Sequence, residues 1–141
     1  MSKDSTLSLS LRSKIEAANA KALLQSGKAI RTKSTRKRVY IAGKVGDLTD
    51  DDYYFEVVRK FAQRQRELRK LGYSTVNPME IVSRGTSWED AMKICIRALT
   101  LCDFISPLAD VNESAGGCIE MDLCAHLRIP VIFPSRMNRK M

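Results

Sequence analysis

Histidine is nearly missing from this chain: His126 is the only one in 141 residues. Cysteine is sparse too, with Cys95, Cys102, Cys118 and Cys124 and no C-x-x-C pair among them. A zinc site needs more such ligands at tighter spacing, so no metal centre is expected. Three of the cysteines, Cys95, Cys102 and Cys124, lie on apolar helix faces, and small buried thiols in a reducing compartment are the simpler reading. No apolar run approaches the ~18–20 residues of a membrane span. The N-terminus lacks the apolar core of a signal peptide. A cytoplasmic location without membrane contact is therefore expected. Internal repeats and low-complexity tracts are lacking as well.

What the chain does have is ordinary for one domain with a single core, 28% charged and 44% hydrophobic residues. Its charge is unevenly placed. Residues 1–38 hold ten Lys or Arg against Asp4 and Glu16, an excess equal to the net charge of +8 for the whole chain. The basicity thus belongs to an N-terminal extension over residues 1–37, with a weak helical period from Leu7 to Gln25. A domain is expected over 38–135, followed by a short basic tail at 136–141. From Lys28 to Arg38 there are six basic residues and no acid. Such a segment can bind nucleic acid nonspecifically. It carries no interleaved aromatics, so a solvated linker or an arm packed on a neighbouring subunit is favoured.

Beyond the extension, strand and helix signals alternate. Val39-Tyr40-Ile41-Ala42 is a strand candidate ending at Gly43. Asp50 to Leu71 reads as a helix, with acids at its start and Tyr54, Val58, Phe61 and Leu68 along one face. Tyr73 to Val76 is a second strand, stopped by Asn77-Pro78. Ser87 is a good N-cap for a helix reaching about Cys102, with Trp88, Met92, Cys95, Leu99 and Cys102 as its apolar face. Phe104-Ile105-Ser106 is a third strand, and Pro130 to Phe133 a fourth. The alternation predicts an α/β fold with a parallel sheet. Ligands bind such sheets at the carboxyl ends of the strands, near the switch in strand order. Three loops should meet there: Gly43 to Asp47, Pro78 to Gly85, and Leu108 to Gly117.

One acid stands out. Ser114-Ala115-Gly116-Gly117 opens a helix whose apolar stripe is Ile119, Leu123, Cys124 and Leu127, and Glu120 falls within that stripe. A carboxylate aimed at the core is costly unless something there uses or satisfies it. Glycines at a helix start let a ligand approach the backbone, and free N–H groups there attract anions. Ser114 either caps the helix or binds a phosphate. Tyr40 is either a core aromatic or a hydroxyl that holds the Glu120 carboxylate. The turn Gly43-Lys44-Val45-Gly46 is neither G-x-G-x-x-G nor a P-loop. Trp88 either packs in the core or walls a base-binding pocket, with Asn77 as a further contact. Asp110 lies on the crevice side as a candidate contact, whereas Asp103 should be a turn residue on the opposite edge.

Tyr40-Ile-Ala-Gly, Asn77-Pro78, Trp88-Glu-Asp, Cys102-Asp103 and Ser114-x-Gly-Gly-x-x-Glu120 occur in a fixed order and spacing. Taken together they resemble the nucleoside 2-deoxyribosyltransferase-like superfamily over about residues 38–134, and more closely a small bacterial and phage branch of it. The resemblance implies a flavodoxin/Rossmann-like three-layer sandwich with four to five parallel strands, and a homo-oligomer with sites near subunit interfaces. It implies no cofactor. It implies cleavage or transfer at an N-glycosidic bond, with Glu120 as nucleophile and Tyr40 orienting it. Ser at position 114, where free-nucleoside enzymes of the family carry Asp, points to a nucleoside 5′-monophosphate. Lys44, Gly116 and Gly117 would help hold it. One position departs from the pattern: active relatives carry an Asp where this chain has Cys95. A catalytically weak nucleotide sensor or adaptor is therefore the alternative.

Overall fold

Val39, Tyr40 and Ile41 favour extended backbone, and they form the middle of β1, Arg38–Ala42. The computed structural model describes residues 36–134. The expected helical extension, most of the basic segment and the C-terminal tail lie outside those residues. The described part falls within one unit that begins at Arg36. The elements that follow β1 are α1 (Asp51–Lys70), β2 (Ser74–Val76), α2 (Pro78–Ile81), α3 (Trp88–Leu99), β3 (Phe104–Pro107), a 3-10 turn (Val111–Glu113) and α4 (Ala115–Leu127). The order β2-β1-β3 puts β1 in the centre, parallel to both neighbours. Tyr40 lies opposite Val76 on one side and Ile105 on the other.

The two-residue period of β1 splits the core into two halves. Val39 and Ile41 pack on one face against Val57, Phe61 and Leu68 of α1. Tyr40 and Ala42 pack on the other against Cys95 and Leu99 of α3 and Cys124 of α4. Helices therefore cover both faces of the sheet, which suits strands buried on both sides.

Local chemistry explains where the helices begin and end. The Asp50 carboxylate accepts from the Tyr53 N–H at 2.9 Å, and Asp51 and Asp52 face the positive end of the α1 dipole. Gly72 ends α1 in the left-handed region at φ 94°, its N–H bonded to the Arg69 carbonyl. Ser87 caps α3 by accepting from the Asp90 N–H. The Asp103 carboxylate accepts from the Arg38 N–H at 2.9 Å and ties the starts of β1 and β3 together.

Several expectations require correction. Among the described residues the sheet has three strands, not four to five. The segment after α4 contributes a single bridge, Val131 to Ile105. Pro130 and Pro134 have no N–H to give a ladder, which leaves too few donors for a strand. β2 begins at Ser74 and not at Tyr73. The buried line of α1 is Val57, Phe61, Gln65 and Leu68, so Val57 replaces Val58 and Tyr54. α3 stops at Leu99, which leaves Cys102 beyond it, and its first residue Trp88 is 53% exposed and not core. In α4 the buried positions are Gly116, Gly117, Glu120 and Cys124, while Ile119 and Leu127 are exposed. The first turn of the helix packs by its glycine side against α3 and the 3-10 turn, because only residues without side chains fit there. A Cβ on Gly117 would sit 2.7 Å from the Val111 carbonyl oxygen, and one on Gly116 2.8 Å from Met92 Sδ.

Candidate functional site

The three loops at the carboxyl ends of the strands enclose a cavity of about 750 Å³. That lies within the range of small-molecule sites. Its walls come from residues 43–49 after β1, residues 78–86 after β2, and Glu113 to Gly117 after β3. The strand order reverses beside β1, where open parallel sheets leave a crevice.

Glu120 and Tyr40 both line it. Tyr40 reaches this face because it alternates with Val39 and Ile41, and its hydroxyl lies 2.5 Å from Glu120 Oε2. Glu120 is only 5% exposed. Burial pushes its carboxyl up to about 7, against the opposing pull of the Tyr40 hydrogen bond. Burial also drives the Tyr40 hydroxyl well above its ordinary range, and the nearby Glu120 charge adds to this. Cys95 lines the same cavity and belongs to the same buried cluster as Tyr40, its thiol raised by burial. Near neutrality the site therefore holds a carboxyl close to half ionised, a neutral phenol and a neutral thiol.

At the start of α4, Ser114 Oγ accepts from the Gly117 N–H at 3.0 Å, so Ser114 is a helix cap as well as a wall of the cavity. Among the described residues, no acceptor within the chain meets the first-turn N–H groups of Ala115 and Gly116. Such groups favour an anion. Gly43 and Lys44 line the opposite side. A Cβ on Gly43 would come within 2.6 Å of the Leu108 side chain, so that glycine is needed for packing. Lys44 Nζ is 3.7 Å from Glu113 across the mouth. The exposed face of Trp88 lines the entrance.

Two expected contacts are elsewhere. Asn77 caps α2 by accepting from the Met79 N–H at 2.9 Å and donates to Gln65 Oε1 at 3.3 Å. It is buried and outside the cavity wall. Asp110 is also absent from that wall; its carboxylate accepts from the Lys44 N–H at 3.0 Å and from Lys60 Nζ at 2.5 Å. Burial alone would raise Asp110, but these bonds outweigh it and hold the carboxyl below its usual range. Both residues are occupied with backbone geometry, a use that short polar side chains at turns serve as readily as ligand binding.

Lys60 and Arg84 were not foreseen. Lys60 bonds both the Lys44 carbonyl and Asp110, bracing the loop after β1 against the loop after β3. Arg84 donates to the Leu48 carbonyl and Asp51 and lies 4.2 Å above the Tyr54 ring, clasping the loops after β1 and β2. Each sits in a charged stretch whose pattern matches a solvated surface. Only its position relative to a distant loop reveals the role.

Among the described residues, no group of His, Cys, Asp and Glu side chains could hold a metal ion. No described helix is long and apolar enough to cross a membrane. All four cysteines are free.

Fold and site together define an α/β protein with a buried acid at the carboxyl ends of a parallel sheet. Residues 37–133 match the family described as Domain of unknown function (DUF4406), and the chain belongs to that family. No curated protein matches it.

Proposed function

We propose that the cavity binds a (deoxy)nucleoside 5′-monophosphate and that Glu120 cleaves or transfers its N-glycosidic bond. The observation that carries this reading is the Glu120 carboxylate, buried at a cavity wall and held by Tyr40. A buried acid with no charged partner costs stability, which is consistent with a functional use. The order and spacing of the motifs around Tyr40 and Glu120, which resemble the nucleoside 2-deoxyribosyltransferase-like superfamily, supply the reaction class. In the same reading the sheet is the core of a flavodoxin-like sandwich. The chain acts in the cytoplasm as a homo-oligomer.

The reaction begins with ionised Glu120. An oxygen of its carboxylate forms a bond to the anomeric carbon while the carbon–nitrogen bond breaks. The base leaves with the bonding pair and takes up a proton from solvent water. Water or a second base then attacks the same carbon, loses a proton to solvent and releases Glu120 as the carboxylate. One hard displacement becomes two easier ones. The Tyr40 O–H fixes the attacking group in one orientation, which reduces the entropy to be lost in the transition state. The phosphate is assigned to the N-terminus of α4, near Ala115 and Gly116, with Lys44 as its cation. The flat face of Trp88 suits a base.

Incubation with a panel of deoxynucleoside monophosphates, followed by chromatography for free base, tests the reading. Release is expected with at least one of them, lowered about a thousandfold or more by Glu120→Ala. No release from any, or release that survives this substitution, refutes it. Cys95 favours a second reading. A neutral thiol stands where the resemblance calls for an acid, and a thiol is a poor proton donor to a leaving base. On that reading nucleotides stabilise the protein against heat without being turned over.

A further inference from the structure

The three strands are parallel, so each crossover helix runs back against them. The N-termini of α1, α3 and α4 therefore lie at the cavity end of the sheet. Their C-termini gather at the opposite end, where β1, β2 and β3 begin. Hydrogen bonds from the Ser74 N–H to the Lys37 carbonyl and from the Asp103 N–H to the Arg38 carbonyl join the three strand starts.

Charge is sorted along the same axis. Asp51, Asp52, Glu89 and Asp90 open α1 and α3 at the cavity end. At the opposite end stand Arg36 and Lys37 before β1, Arg69 and Lys70 closing α1, Arg97 in the last turn of α3 and Arg128 capping α4. All six are exposed. The acids nearest to them are engaged. Asp103 accepts from the Arg38 N–H, Glu67 pairs with Arg64 at 3.4 Å, and Asp122 faces His126 at 3.7 Å. Helix dipoles favour bases at C-termini. They give no reason for Arg36 and Lys37, which precede a strand. These two belong to the run from Lys28 to Arg38, with its six bases and no acid.

We propose that this end of the domain docks on double-stranded nucleic acid, with Arg36, Lys37, Arg69, Lys70, Arg97 and Arg128 contacting phosphates. Guanidinium groups match phosphate oxygens in pairs. Such contacts hold the duplex without reading its sequence. The net charge of +8 points to a polyanion, because a second copy of the chain brings the same surplus and cannot neutralise it. Single strands are held by stacking on aromatics, and anionic membranes take up Trp, Phe and Leu side chains. Among the described residues the large exposed aromatics are Phe55 and Trp88, near the starts of α1 and α3 and so at the other end. Leu101 and Leu127 are exposed close to the basic end, which gives vesicles a place in the test. The cavity opens at the opposite end, so this docking stands or falls apart from the reaction proposed above.

The test is fluorescence anisotropy of a labelled DNA duplex of mixed sequence, titrated with the full chain over a series of salt concentrations. Each phosphate contact contributes about 0.9 to the slope of log Kobs against log salt. The quadruple variant Arg69→Gln, Lys70→Gln, Arg97→Gln, Arg128→Asn should lower that slope by about two or more and weaken binding at least about tenfold. Arg59→Gln with Lys93→Gln removes two exposed charges from mid-helix positions and should leave the slope unchanged. A parent protein that ignores the duplex overturns the proposal, and one that then sediments with phosphatidylserine vesicles assigns the surface to a membrane. A slope that the quadruple variant leaves unchanged also overturns it, because binding then belongs to the extension alone. So does an equal loss per charge in the mid-helix variant. Should the quadruple variant not fold, amide NMR of the unsubstituted protein with the duplex decides. Shifts are expected at residues 36–38, 69–70, 97–103 and 128. Shifts gathered on the cavity loops, or missing from residues 36–134, overturn the proposal.

Discussion

Glu120 carries the cost of a buried carboxyl and, in the proposed function, the chemistry as well. Burial pushes its carboxyl up to about 7, from 4.5 for an ordinary glutamate. The folded state therefore binds more protons than the unfolded one between those values, and stability falls as pH rises through that window. Above about 7 the loss is on the order of 3 kcal/mol. Glu120→Gln removes the charge and keeps an acceptor for Tyr40. Denaturant unfolding at pH 8 should show the variant more stable than the parent by roughly that amount. The gap should narrow as pH falls below 7 and close below about 4.5. A variant less stable at pH 8 would mean that the carboxylate is satisfied in a way the Tyr40 bond alone does not explain.

At this scale the sequence was unevenly informative. Glu120 was conspicuous because an acid interrupted an apolar helix stripe. Asn77 and Asp110 lie outside the cavity wall; a cap and a ligand contact use the same short polar groups, and local sequence does not separate them. Lys60 and Arg84 were overlooked because they look like solvated charges until distant loops come beside them. Cys95 was visible as a departure from a resemblance, but nothing in the sequence placed it in the wall of the Glu120 cavity.

Among the elements, α4 shows how glycine sets geometry. Its first turn approaches α3 and the 3-10 turn closely enough to leave no room for a Cβ at either glycine. At Gly117 the obstacle is backbone, the Val111 carbonyl oxygen at 2.7 Å; at Gly116 it is the flexible end of Met92 at 2.8 Å. Gly117→Ala should therefore destabilise by about 1–3 kcal/mol, and Gly116→Ala by less. Thermal unfolding of the two variants checks the order. Equal effects would imply that Met92 cannot yield. This packing also explains why the expected stripe was rotated. The wheel placed Ile119 and Leu127 inward because they are apolar, whereas the close approach belongs to the glycine side. The alternation of strand and helix was legible because each period spans many residues. The fourth strand failed because prolines at both ends of a short apolar run remove the donors a ladder requires.

For the molecule as a whole, a parallel sheet covered on both faces leaves its strand ends as the place where loops converge. All three expected loops line the cavity. In the proposed reaction attack requires ionised Glu120, so kcat/KM for a cleaved nucleotide should rise about tenfold per pH unit below about 7 and level off above it. A rate that falls as pH rises through 7 would assign Glu120 to proton donation.

The most direct measurement is the intact mass of the protein after acid quenching during reaction with a deoxynucleoside monophosphate. The account predicts a gain of one deoxyribose phosphate, mapped by peptide analysis to Glu120 and missing in Glu120→Gln. A protein that keeps its own mass with every nucleotide tried, or that carries the sugar on another residue, contradicts it.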